Sequence, residues 1–143
     1  MENNIERFIE AQKNMYCGYD LALKEMQEGG KRSHWIWYIF PQLKGLGHSY
    51  MSQFYGIQGK NEAKEYLTHP LLGQRLREIT EVILSYPDTA DPNKFMMQSV
   101  DAKKLKSSMT LFDAISPNDI FGKVLERFFN GKRDRRTLRI IQR

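Results

Sequence analysis

The segment Lys31–Ser52, KRSHWIWYIFPQLKGLGHSYMS, gathers both tryptophans, two of the three histidines and a Gly-x-Gly turn. A core element needs apolar residues at a fixed period, not a crowd of His34, Trp35, Trp37, Gln42 and His48 around a glycine loop, so the segment reads as a binding site. The indoles of Trp35 and Trp37 offer flat stacking faces for a base, a sugar or a cation, and His34 and Gln42 can fix a ligand's orientation by hydrogen bonds. On a helix Trp35, Tyr38, Ile39 and Gln42 share one face and His34, Trp37 and Pro41 another. The competing reading makes both tryptophans core and His34 a cap or surface residue.

The turn KGLGHS supplies a second chemistry. Gly45 and Gly47 let backbone amides approach an anion closely, and Ser49 can cap the helix that follows. His48 beside such a site can act as a general acid or base. The pattern matches neither a P-loop nor the three-glycine dinucleotide fingerprint, so a plain helix connection explains it equally well.

The third constellation is VDAKKLKSSMTLFD, residues 100–113. At helical spacing Asp101, Lys104, Ser108 and Phe112 share a face, converging a carboxylate, an ammonium and a hydroxyl. Asp101 as N-cap with Lys104 as a solvated partner accounts for two of these without function. The hydroxyls of Ser107, Ser108 and Thr110 inside a helix favour a site, because such residues are mediocre helix formers. A Ser-Lys nucleophile pair lacks its defining spacing.

The net charge of +5 is terminal: Lys132, Arg133, Arg135, Arg136, Arg139 and Arg143 outweigh Asp134 and leave residues 1–131 balanced. A chain that tracks phosphate backbones spreads Lys and Arg over a face, so nucleic acid is not the expected partner. The single cysteine, Cys17, excludes a disulfide framework and a multi-cysteine zinc site, in keeping with a reducing, cytoplasmic location. In an amphipathic helix it reads as a small buried hydrophobe. His34, His48 and His69 show no short ligand spacing, so no metal and no cofactor are expected. No apolar run approaches the roughly 20 residues that span a bilayer, and the start MENNIERF is not a signal sequence.

The elements that position these groups read as helices. Ile5, Phe8, Ile9, Met15, Tyr16, Tyr19, Ala22, Leu23 and Met26 recur at helical spacing, predicting one helix capped by Asn3 and ended by Gly29-Gly30. Ser33 is placed to cap a short helix before Pro41, preferred over a WIWYIF strand because almost no other strand candidates exist to pair with it. Tyr50–Tyr55 and Asn61–Leu67 follow as short helices around a Gly56–Gly59 turn, and Pro70 opens a helix turning Leu72, Leu76, Ile79 and Ile83 inward. Residues 87–92 read as a loop. Asp101–Ala114 and Pro117–Phe129 form a long pair, the second capped by Ser116 and followed by Gly131, before a last helix with Leu138, Ile140 and Ile141 partly buried. The expected fold is a compact all-α multi-helix bundle, one domain over residues 1–143.

In combination, RFIEAQ (Arg7–Gln12), GGKRSHWIWYIFPQLKGLGHS (Gly29–Ser49), EYLTHPLLGQRL (Glu65–Leu76) and KLKSSMTLF (Lys104–Phe112) resemble a family known mainly as a bacterial domain of unknown function, sometimes mislabelled calpastatin. The resemblance implies a mostly α-helical single domain and brings no activity. One departure precedes the last motif: FMMQSVDAKKL has Met-Met-Gln where the family pattern has Phe-Gly followed by Asp. Calpain inhibition does not follow from the label, since that activity belongs to disordered chains.

The leading expectation is that the aromatic segment, the turn and the Asp101 helix meet in one pocket for a small anionic, nucleotide-like metabolite. Trp35 and Trp37 would stack it, with Gln42, Ser107 and Ser108 as further ligand contacts, and Gly45, Gly47 and Ser49 would hold its anion. If the pocket is catalytic, for hydrolysis or group transfer, His34 or His48 is the acid or base, Asp101 the orienter or base and Lys104 the stabiliser of negative charge. The alternative is a non-catalytic module in which the aromatic segment is a protein-binding patch and the basic terminal helix docks on an acidic partner or RNA.

Overall fold

Apolar residues at helical spacing, punctuated by glycine and proline, translate into a succession of helices in the computed structural model, which describes residues 4–142. Among these residues the order is α1 (Glu6–Gln12), α2 (Tyr19–Gln27), α3 (Ile36–Ile39), α4 (Tyr50–Phe54), α5 (Lys60–Thr68), α6 (Leu72–Leu84), α7 (Pro92–Phe95), α8 (Ser99–Ile115), α9 (Ile120–Phe128) and α10 (Arg135–Ile141). The fold is all-α. Extended pairing among the described residues is a single parallel bridge between Leu43 and Ile57.

The hub is α8, which packs against α3, α5, α7, α9 and α10. Its length and position let one helix present residues both to the core and to the aromatic segment. Leu105, Met109, Leu111 and Phe112 are buried with Trp35, Phe40, Tyr66 and Phe121 in one apolar cluster. On α6 the predicted stripe Leu72, Leu76, Ile79 and Ile83 is buried throughout.

The long first helix is instead two. Met15 and Tyr16, which extended its apolar period, are 87% and 85% exposed. Asn14 ends the helical path by accepting the amides of Tyr16 and Cys17 on its side-chain oxygen, at 2.8 and 3.0 Å. At Gly18 the chain folds back so closely that a Cβ would stand 2.2 Å from the Asn14 carbonyl. Cys17 therefore lies half-buried in a connection, its thiol 3.5 Å from the His34 carbonyl. The Asn3 cap falls outside the described residues; Asn4 accepts the Glu6 amide at 2.9 Å. At the other end, Gly29 with φ +118° closes α2 as expected.

Two serine caps are also displaced. Ser33 donates its hydroxyl to Glu25, and Trp35 takes the N-cap position of α3. Ser116 donates to Asp119, whose carboxylate caps α9 at Ile120. Asn118, with φ +62°, cannot continue a right-handed helix, so α9 starts later than Pro117. Pro92, expected in a loop, is the first residue of α7 behind an Asp91 cap.

Candidate functional site

The site is built outward from Gly30. Its missing side chain lets the backbone pass α7, where a Cβ would stand 2.9 Å from the Phe95 carbonyl. The next amide, Lys31, donates to that carbonyl at 2.8 Å. This pins the loop and directs the Lys31 side chain inward, where its ammonium lies 2.8 Å from Asp101 Oδ2 with both side chains buried. Asp101, in the first turn of α8, also faces Lys104 at 3.8 Å, the i,i+3 neighbour foreseen from spacing. The Lys104 ammonium sits 5.0 Å from the centroid of the Trp37 ring, and the Lys31 ammonium 5.3 Å from that of Trp35.

The two indoles have different fates. Trp35 is fully buried, packs beside Phe40 and donates Nε1–H to Glu25 at 2.9 Å. Its faces are closed, so it cannot stack a ligand as the sequence suggested, whereas Trp37 is half-buried. Glu25 also accepts the Arg32 and Ser33 amides at 2.8 and 3.0 Å and the Ser33 hydroxyl at 2.5 Å. Burial alone would raise the Glu25 pKa, but the hydrogen bonds from Ser33, Arg32 and Trp35 outweigh it and hold the carboxyl below its ordinary range.

On the other side stands the glycine turn. Gly45 adopts φ +103°, and the carbonyls of Gly45 and Leu46 accept the Arg136 guanidinium at 3.2 and 3.3 Å, tying the turn to α10. Gly47 is pressed against Ser52, where a Cβ would meet the hydroxyl at 2.6 Å. Ser49 caps α4 by accepting the Ser52 amide at 3.1 Å. Its hydroxyl is thereby used within the fold.

A cavity of about 450 Å³ opens between the turn, α8 and α10. Gln42 from the aromatic segment, Gly47 from the turn and Lys104 and Ser107 from α8 line it, joined by Lys103 and Arg136. Asp134 is the one carboxylate on its wall. His34, His48, Trp35, Trp37, Gly45, Ser49, Asp101 and Ser108 are not lining residues. Both His34 and His48 are exposed, and His48 contributes only its carbonyl, to Gln53. Ser107 and Thr110 donate to the carbonyls of Lys103 and Lys106, the usual way a helical hydroxyl is satisfied. Ser108 is buried with no hydrogen-bond partner.

Sequence reading passed over Lys31, Glu25 and Arg136. A signal existed for Glu25, a charge on the buried face shared by Ala22 and Met26. Lys31 and Arg136 carried none, since a lysine after two glycines and an arginine in a basic tail both read as solvated. The aromatic segment is also no apolar surface patch, because Ile36, Tyr38, Ile39 and Phe40 are buried with Trp35. Among the described residues no three of His, Cys, Asp and Glu are grouped to hold a metal ion, and no helix is long and apolar enough to cross a membrane.

Comparison with known proteins places the chain. The model of a family described as a protein of unknown function, DUF1810, matches residues 2–141. The chain belongs to the DUF1810 family. Within reach of this DUF1810 chain at 37% identity is the conserved hypothetical protein Rv1873 from Mycobacterium tuberculosis, whose crystal structure matches with a TM-score of 0.89 over 99% of this chain and 98% of that one. No curated protein matches the sequence. DUF1810 membership thus agrees with the resemblance drawn from the motifs and, like it, brings a fold without an activity.

Proposed function

We propose that this DUF1810 protein binds a small anionic, nucleotide-like metabolite in the cavity between the glycine turn, α8 and α10. The observation that carries the reading is convergence: three segments singled out by their chemistry each send a residue to one wall, Gln42, Gly47 and Lys104. Its volume falls within the roughly 300–1,000 Å³ range of ligand pockets. Lys103, Lys104 and Arg136 face only Asp134 there, which favours negative charge. Hydrolysis or group transfer is the extension of this reading in which Asp101 orients Lys104 against developing charge; neither His34 nor His48 lines the cavity to move a proton.

A thermal-shift screen against nucleotides, dinucleotides and sugar phosphates tests it. A ligand at 100 times its dissociation constant adds about 2.7 kcal/mol of stability. A shift in the parent protein that Lys103→Ala and Lys104→Ala each diminish supports the cavity. Absence of any shift across anionic ligands, or a shift indifferent to both variants, removes it.

A further inference from the structure

A second cavity, of about 850 Å³, opens at the other end of the glycine turn and shares no lining residue with the first. Its back is a short backbone ladder: the Lys44 amide donates to the Ile57 carbonyl at 2.9 Å, and the Ile57 amide to the Gln42 carbonyl at 2.8 Å. Gly56 permits that approach, since a Cβ there would stand 2.6 Å from the Lys44 Cα. The ladder holds Leu43 opposite Ile57, and α10 closes over them with Ile141 and the half-buried Ile140. At the edge of α5, Gly59 has φ +128° and nothing within 4 Å of a Cβ, so the mouth there is open to a guest.

Charge sets the guest's class. Lys44 and Lys60 line this cavity, both are exposed, and no carboxylate stands among the lining residues. A cleft of about 190 Å³ adjoins it through Gly45 and Ile140 and adds Arg136 and Arg139, again without a carboxylate. Arg136 donates to the Gly45 and Leu46 carbonyls, which leave its charge uncancelled. Among the described residues Lys44, Lys60 and Arg139 have no ion-pair partner. Four cations without an acid favour an anion, while Ile140 and the methylene stems of the lysines favour an apolar body. The volume lies in the roughly 300–1,000 Å³ range of small-molecule pockets. We propose that this second cavity binds a small amphipathic anion, with its aliphatic chain against Ile140 and its charged head between Lys44 and Lys60. Nothing in this depends on the ligand of the first cavity.

NMR of the full-length protein follows the backbone amides during titration with decanoate below its micelle concentration. Acetate supplies the head alone, and decyltrimethylammonium the chain with the opposite charge. The amides of Gly45, Ile57, Gly59 and Ile141 are expected to shift with decanoate only, while those of Gly47 and Ser107 in the first cavity stay. The double charge reversal Lys44→Glu with Lys60→Glu, at two exposed positions, is expected to weaken decanoate binding about tenfold, since each exposed pair is worth up to about fivefold. An equal response to decyltrimethylammonium overturns the proposal, because the cavity would then be apolar without preferring an anion. Saturation by acetate at the same concentration, a decanoate response that survives both reversals, or no response at all overturns it too. A nucleotide acting on the Gly47 and Ser107 amides tests the first cavity separately, so either reading can fail alone.

Discussion

Lys31 and Asp101 meet at 2.8 Å in the interior of the fold, their side chains 0% and 4% exposed. The contact joins a loop pinned to α7 with the first turn of α8, so it sets the register of the aromatic segment against the hub helix. Two charges removed from water cost several kcal/mol each, and their attraction repays this only with good geometry and further partners. The pair is therefore read as a specifying contact whose single-sided loss is expensive.

Asp101→Asn should destabilise the protein by about 3–5 kcal/mol, because it strands a buried ammonium. Replacing both residues, Lys31→Met with Asp101→Leu, should recover most of that loss, since neither charge then needs compensation. Urea unfolding of the parent and the two variants measures both numbers. A cost for Asp101→Asn near that of a surface pair, below about 1 kcal/mol, would mean that water reaches the contact.

The Glu25–Trp35 contact predicts a pH dependence. Glu25 titrates lower in the folded chain than the roughly 4.3 of a free glutamate, so its contribution is present above that value and is lost as acid carries the pH down through the folded pKa. Glu25→Gln should therefore be less stable than the parent at neutral pH and lose less on acidification. Parallel curves for the two proteins below pH of about 4.3 would assign the acid sensitivity elsewhere. In the same contact Trp35→Ala should cost about 3–5 kcal/mol as a core truncation.

What the sequence disclosed follows from the range of each interaction. The α6 stripe and the span of α8 depend on local periodicity, and both were readable; the Asp101–Lys104 neighbourhood is a single helical turn and was readable too. The break at Asn14–Gly18 was hidden because Met15 and Tyr16 continue the apolar period while pointing into solvent. Lys31 was hidden because its burial depends on a carbonyl of α7 and a carboxylate of α8, neither of which is near it in the chain. Trp35 and Trp37 looked equivalent, and only Glu25, reached across the α2–α3 connection, separates a core indole from a half-buried one.

Ser108→Ala is a test of the unpartnered hydroxyl. A buried polar group without a partner costs about 1–3 kcal/mol, so removing it should leave thermal stability unchanged or raise it. The neighbouring Thr110→Val should do the opposite, because the Thr110 hydroxyl donates to the Lys106 carbonyl at 2.8 Å and accepts the Asp134 amide at 3.0 Å. Calorimetry of the two variants side by side decides it; a marked loss for Ser108→Ala would show that this hydroxyl is hydrogen-bonded in solution.

Gly30→Ala should disturb the site without touching any of its side chains. The added Cβ would meet the Phe95 carbonyl oxygen at 2.9 Å and the Phe95 Cα at 3.1 Å, both backbone atoms that cannot swing aside. The loop must then back away from α7, lengthening the Lys31 amide bond to Phe95 and drawing the ammonium away from Asp101. We expect a loss of about 1–3 kcal/mol, the usual cost of inserting a methyl group into a packed site. A matched Gly29→Ala, where no atom lies within 4 Å but φ is +118°, carries backbone strain alone. Both variants should lose stability, but only Gly30→Ala should shift the Trp35 indole resonance, because only it moves the Lys31 ammonium that lies 5.3 Å from the centroid of the Trp35 ring; equal spectra for the two would place the Lys31–Asp101 contact outside the control of Gly30.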